Sequence, residues 1–267
     1  MGLKVAPQKT EAIFLHDGSH GAPPRAHISV EDTSIEVGAC LKYLGLHLDS
    51  KWTFREHFRR ISPKVEKTAM ALQRLLPNLG RPGGSVRKLY AGTIHAMLLY
   101  GAPVWVKCLE ATRGPRDAMR QLQRRAANRI CRGYRTVSWV AVGVLSGVPS
   151  VEMLARMYAD VYTRTREYQR AGVTVTDGLR RAMRVHSRRA LIQKWRDSLA
   201  DPKLPGQRTV GAIRPCLENW LDRAKGEVSF HTTQVLTGHG CFGEYLHRIG
   251  KERTTRCHHC GHERDTA

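Results

Sequence analysis

Downstream of Trp52 the apolar residues Ile61, Val65, Ala69, Leu72 and Leu76 recur at intervals of three and four, the spacing that puts side chains on one face of an α-helix. A stripe of this kind must be buried, so the chain is constrained to pack helix on helix. The pattern predicts a helix of about 20 residues, opened by a capping box of Thr53 and Glu56, kinked or restarted at Pro63, and closed by Pro77-Asn78-Leu79-Gly80. A second helix is expected from Ser85, with Val86, Leu89, Tyr90, Thr93, Met97 and Tyr100 on its packed face and a break at Gly101-Ala102-Pro103. Further helical stretches cover 115–132, 151–170, 178–200 and 210–225. Before residue 50 the period is different: short runs at 12–15, 28–30, 35–37 and 43–48, around the polar turn Glu31-Asp32-Thr33-Ser34, predict a small antiparallel sheet. The expected fold class is therefore mainly α, a helical bundle preceded by a small antiparallel β segment. Turn-rich stretches at 172–178 and 201–206 divide it, giving expected units of 1–50, 51–205 and 206–267.

Charge follows the same division. The 267 residues carry 44 Lys and Arg against 23 Asp and Glu, a formal net charge of +21. The first fifty positions hold four cations against six carboxylates, which leaves forty against seventeen downstream, net +23. A field of that size attracts polyanions, nucleic acid first. The longest apolar run, 94–106, contains His95 and falls well short of the roughly 20 residues of a membrane-spanning helix. No signal-peptide core follows the N-terminus, and Ala6 stands where a myristoylation motif has Ser or Thr. The expected setting is intracellular, nuclear and/or cytoplasmic, without membrane contact. Seven cysteines, five of them scattered, imply no disulfide framework.

The densest cationic segment holds Arg113, Arg116, Arg120, Arg124, Arg125, Arg129, Arg132 and Arg135 against the single acid Asp117. At 100° per residue, Met119, Leu122, Ala126 and Ile130 form a narrow apolar seam, and the arginines take the remaining arc. Solvated helix faces ordinarily mix charge signs, so this one is read as a phosphate-contacting face, for which the planar guanidinium fork is suited. A second stretch from Arg156 to Arg196 carries eleven Lys or Arg against three acids, with Tyr158, Tyr162, Tyr168 and Trp195 interleaved. Those aromatics are read as core anchors in preference to base-stacking platforms. Cys257 and Cys260, with His262, have the spacing of a zinc half-site, whose remaining ligands would have to come from residues such as His239, Cys241 or His247. Tyr158-Ala159-Asp160 lacks the second aspartate of a polymerase signature, since Val161 follows. The chain contains no Asp-Asp pair, phosphate-binding glycine loop, zinc-protease helix or nucleophile elbow.

An ordered series of motifs resembles the C-terminal half of a non-LTR (LINE-type) retrotransposon reverse transcriptase, similar to the arthropod elements that insert at defined chromosomal repeats. It runs from residues 2–11 (GLKVAPQKTE) and 42–49 (KYLGLHLD) through 98–105 (LLYGAPVW), 132–138 (RGYRTVS) and 234–240 (QVLTGHG) to the terminal Cys-x-x-Cys. The resemblance implies the end of a polymerase palm, a helical thumb that holds template and primer, and a Cys-Cys-His-Cys knuckle. It implies that Lys9 is an accessory proton donor in an intact parent enzyme, idle without nucleotide and metal, and that Tyr43, Leu44 and Gly45 form a primer-grip-like support. The expected function is template-primer and target-DNA binding, to RNA and DNA alike, through a basic thumb without the catalytic aspartates. Mg²⁺ is expected only in the intact parent, and Zn²⁺ is expected to meet an incomplete site, both ends of the family pattern being cut. The alternative is a basic scaffold, or a relic of a decayed element, that binds RNA, DNA or acidic partners.

Overall fold

The computed structural model describes residues 5–21, 23–80, 82–223 and 227–267. Gly2, Leu3 and Lys4 of the first motif lie outside the described residues.

Five short strands precede eleven helices among the described residues, as expected of a mainly α chain opened by a small sheet. Strand β1 (Ala12–Ile13) pairs parallel with β3 (Thr33–Gly38), which pairs antiparallel with β2 (His27–Val30). The parallel pair is an addition to the expected antiparallel arrangement. The run at 43–48, expected as one strand, is a hairpin instead: β4 (Cys40–Tyr43) and β5 (Leu46–Asp49) flank a two-residue turn of Leu44 and Gly45. Both turn residues have positive φ, +46° and +84°, the geometry that matches the twist of a tight hairpin. Period alone did not locate this reversal because five of the six residues from 43 to 48 are apolar or glycine.

Helix α1 (Arg55–Arg74) buries Phe58, Val65 and Ala69 along the expected stripe. The expected capping box is not formed. Asp49 Oδ1 accepts from the Thr53 backbone N–H (2.8 Å) and from its hydroxyl (3.1 Å), while Glu56 turns outward to Arg59 and Arg60. The helix also runs unbroken through Pro63. Proline removes only the bond to the Arg59 carbonyl there, on an exposed turn that water can reach.

Helix α2 (Gly84–Leu98) is rotated by one residue from expectation. Its buried face is Arg87, Ala91, Ile94 and Leu98, whereas Val86 and Leu89 are exposed, Leu89 by 69%. An arginine seated in the interior explains the rotation, since apolar periodicity assigns it to solvent. Gly101, at φ +69°, then turns the chain by 80° into α3 (Ala102–Ala111), an element not anticipated as a helix. A Cβ at Gly101 would lie 2.7 Å from Leu46 Cδ2. Gly101→Ala therefore meets both a left-handed backbone and an occupied core, and is expected to cost about 2–4 kcal/mol in a urea unfolding curve. A midpoint matching the wild type would show that the hairpin does not press on this turn.

Helix α4 (Arg113–Cys131) is the shared element of two apolar clusters. Met119, Leu122 and Ala126 pack with α1, α2, α3 and α6 (Val151–Arg170), around the fully buried Trp105. Ala127 and Cys131 pack with α5 (Trp139–Ser146), the end of α7 (Asp177–Ser198), and the following α8 (Gln207–Ile213) and α9 (Leu217–Asp222). The second cluster thus spans the expected 205/206 division through Val210, Ile213 and Leu217. Two short helices, α10 (Phe230–Thr237) and α11 (Gly243–Arg248), complete the chain.

Candidate nucleic-acid interface

The widely spaced motifs meet in pairs. Glu11 accepts from the Lys42 backbone N–H at 2.8 Å, joining the two at the front. The Leu44-Gly45 turn docks on α2, where the Tyr100 hydroxyl donates to the Leu44 carbonyl at 2.6 Å. Tyr43 and Leu44 themselves remain 60% and 72% exposed, so the hairpin presents its tip outward. Lys9 is exposed in a single 3₁₀ turn, Pro7–Lys9. Further along, Gln234 donates to the Tyr134 hydroxyl at 2.7 Å, and Thr233 bonds the Cys131 carbonyl. Tyr134, Phe230, His239 and Tyr245 form a ring cluster around that junction, with burial lowering the His239 pKa. Each motif was legible in sequence; their pairing depends on contacts across 31 to 102 residues, which no local pattern reports.

The eight arginines of the 113–135 segment, expected as one phosphate-contacting outer face, divide into two groups. Arg113, Arg125 and Arg135 are exposed, the first beside Asp117 and the second paired with Glu66. The other five bond inside the fold. Arg116 donates to the Glu110 carbonyl and Arg124 to the Arg135 and Val137 carbonyls. Arg129 reaches Asn78 and the Leu76 carbonyl, and Arg132 reaches the Gly80 and Pro82 carbonyls. Arg120 pairs with Glu152 and lies 5.3 Å from the centre of the Trp139 ring. Because α4 is flanked on both sides, its long side chains span to neighbouring loop carbonyls. Burial lowers the Arg129 pKa, with Arg135 adding to the effect. The apolar seam itself lies as expected, Met119, Leu122 and Ala126 buried and Ile130 partly so.

The open cationic surface lies instead on the hairpin of α6 and α7. Arg164, Arg170, Arg181, Arg184 and Arg189 are exposed, and among the described residues no carboxylate pairs with any of them. Tyr158, Tyr162 and Tyr168 are 48%, 54% and 40% exposed on α6, not the core anchors expected, while Trp195 is buried at 6%. Tyr158 and Tyr162, one turn apart, border a shallow apolar groove whose other wall is Leu99 and Pro103. The N-terminal half of α7 buries little before Met183, which leaves the hairpin's outer end ringed by guanidinium groups.

At the C-terminus, Cys257 and Cys260 lie in one tight turn closed by the Cys257 N–H to the His262 carbonyl (2.8 Å) and the Gly261 N–H to the Cys257 carbonyl (3.0 Å). Backbone N–H groups of Cys260 and His259 lower the Cys257 thiol pKa. The His262 ring turns to the Arg264 carbonyl, and His247 and His239 are engaged with the Glu252 and Thr237 carbonyls. Among the described residues, no group of three or more His, Cys, Asp or Glu side chains is arranged to hold a metal ion. Neither a closed zinc site nor a paired-metal polymerase centre fits the residues in place, and no chemical step is derived through either.

The chain is similar to proteins of non-LTR, LINE-type retrotransposons, a likeness that supports an origin in such an element. It is similar in particular to the type-1 (R1) elements of insects. It is 28% identical over 230 residues to the 115 kDa protein of the retrotransposable element R1DM of Drosophila melanogaster, an overlap covering 83% of this chain and 22% of that protein. It is 25% identical over 266 residues to the Pol polyprotein of element R1 4 of Nasonia vitripennis, covering 97% of this chain and 66% of that one. With the R1 Pol polyprotein of Bradysia coprophila it shares 26% identity over 276 residues, 96% of this chain and 26% of the relative. The chain therefore spans between about a fifth and just under two thirds of these relatives' length. No family model and no solved structure matches it.

Proposed function

We propose that this chain binds RNA and DNA through non-specific phosphate contacts and has no nucleotidyl-transfer activity of its own. The observation that carries the reading is the set of five exposed arginines on α6 and α7 that no carboxylate among the described residues neutralises. Arg135, exposed just after α4, is a further cation of this kind, whereas Arg113 and Arg125 sit beside Asp117 and Glu66. Guanidinium groups in such a cluster neutralise phosphates and release counterions, a sequence-independent source of affinity. Tyr158, Tyr162 and Tyr168 beside them offer faces on which unpaired bases stack. The similarity to proteins of R1 elements, two of which are named Pol polyproteins, agrees with a nucleic-acid partner. The units 1–50, 51–205 and 206–267 then correspond to a palm end, a thumb and a knuckle-bearing tail, with Tyr43, Leu44 and Gly45 supporting a primer end.

Fluorescence anisotropy with a short oligonucleotide at rising salt tests the reading. Log Kd is expected to rise with log salt at a slope of about 4, and Arg181→Gln with Arg184→Gln and Arg189→Gln to lower that slope by about 2–3. Mg²⁺-supported primer extension is expected to be absent. Affinity that scarcely changes between low and moderate salt would refute the phosphate contacts.

A further inference from the structure

Helices α4, α6 and α7 enclose a cleft of about 600 Å³ that the basic outer surface does not explain. Its walls are three ladders: Arg116 and Arg120 one turn apart on α4, Glu152, Arg156 and Asp160 on α6, and Ser187 and Lys194 on α7. Two of the carboxylates are already neutralised. Arg120 Nε donates to Glu152 Oε1 at 2.6 Å, and Arg156 Nε to Glu110 Oε1 at 3.0 Å. Two cations, Arg116 and Lys194, have no carboxylate of their own, and Asp160 is the remaining acid, on the exposed side.

Three buried polar atoms on residues that line this cleft have no hydrogen-bond partner among the described residues: Arg116 Nε, Ser187 Oγ and Glu152 Oε2. Ser187 is 4% exposed. Leaving such groups unmade is costly in a folded protein, and three in one cavity point to an occupant with matching chemistry. Arg116, Lys194 and Ser187 supply donors and positive charge, which a phosphate accepts. Glu152 Oε2 accepts only, so it requires a donor, and a bare anion would not satisfy it. A ribose-phosphate unit carries both features side by side, an anionic phosphate next to a sugar hydroxyl. We propose that this cleft binds a ribose-phosphate unit, the phosphate held by Arg116, Lys194 and Ser187 and a ribose hydroxyl donating to Glu152. Deoxyribose has one hydroxyl fewer, so the cleft distinguishes RNA from DNA where the outer arginines do not. The inference deepens the nucleic-acid reading above and rests on it only for the polymer. The unit belongs either to an RNA strand or to a free ribonucleotide.

The test uses the full chain with RNA and DNA strands of one sequence, and AMP against deoxy-AMP as small probes. RNA is expected to bind about tenfold tighter than DNA, the ratio one hydrogen bond to a charged group provides. Glu152→Gln should bring the ratio near one, and Lys194→Gln should weaken RNA binding more than Lys67→Gln, a charge-matched change on the exposed face of α1. AMP that displaces RNA identifies the free nucleotide as an occupant; AMP that does not identifies the strand. Equal affinity for RNA and DNA, or a wild-type ratio retained by both Glu152→Gln and Lys194→Gln, would overturn the assignment. A chain that binds neither polymer would overturn the nucleic-acid reading instead, and a thermal shift by AMP but not deoxy-AMP then decides the cleft by itself.

Discussion

Replacing Arg87 with methionine is expected to lower the unfolding free energy by about 3–5 kcal/mol, a large share of what holds a domain of this size together. Arg87 is completely buried. Its guanidinium donates from Nε to the Pro82 carbonyl (3.0 Å), from Nη1 to the Arg129 carbonyl (2.9 Å), and from Nη2 to the Pro77 carbonyl. Those carbonyls belong to the loop after α1 and to the last turn of α4, so one planar group fixes the ends of two helices to a third. Burial lowers the Arg87 pKa, with Arg132 and Arg129 adding to the effect. The net stabilisation is accordingly smaller than three charged hydrogen bonds would total. Methionine matches the stem but strands the Pro77 and Arg129 carbonyls, and leaves that of Pro82 to Arg132 alone. Lysine keeps the charge and cannot reach all three at once, so Arg87→Lys should fall between, at about 2 kcal/mol. Urea unfolding with an unchanged m-value is the measurement, and a loss under about 1 kcal/mol for Arg87→Met would show that the guanidinium is dispensable.

The second large effect is acid sensitivity in a defined window. His57 is 1% exposed, its Nδ1 accepts from the His47 backbone N–H (3.4 Å), and burial, with His47 adding, pushes its pKa down to about 4. His95, on α2, is likewise pushed down to about 4 by burial, and its Nε2 has no partner among the described residues. Both rings are neutral in the folded chain and protonate near 6.5 when it unfolds. As pH falls from 6.5 to 4 the unfolded state takes up protons that the folded state refuses. Stability present above 6.5 is therefore lost across that interval, on the order of 5 kcal/mol for the two together. Glu56, held at about 2 chiefly by its hydrogen bonds to Arg59 and Arg60, loses its contribution only below about 4.5, which separates the two causes. Denaturant midpoints at pH 7, 5.5 and 4.5 should fall steeply for the wild type and much less for His57→Phe with His95→Leu. Flat wild-type midpoints down to pH 4.5 would remove the histidines from the account.

What could be read from the sequence was whatever local period controls. The stripe of α1, the seam of α4, and the extents of α6 and α7 follow from apolar spacing, and the structure places them within a few residues of expectation. The departures on α2 and α4 share one origin, arginines received by groups inside the fold that apolar period does not register. Arg87 rotates α2 because the Pro77, Pro82 and Arg129 carbonyls receive it, and five of the eight arginines near α4 turn inward to backbone carbonyls or, for Arg120, to Glu152. Conversely, Tyr158 and Tyr162, core anchors by composition, stand exposed because they lie off the Val151, Ala155 and Ala159 face that α6 buries. The Ser187 and Glu152 atoms of the cleft are invisible in sequence, since nothing in a serine or glutamate announces that its hydrogen-bonding capacity will go unused.

Helix α4 has one consequence for how the chain is made. Its Met119, Leu122, Ala126 and Ile130 face joins a cluster that is complete once residues through Ala159 exist, whereas Ala127 and Cys131 wait for partners as late as Leu217. During synthesis from the N-terminus the helix therefore stands with one face packed and the other bare. The nascent chain carries a half-finished apolar surface until its ninth helix emerges, and that interval is when the molecule is most exposed to aggregation.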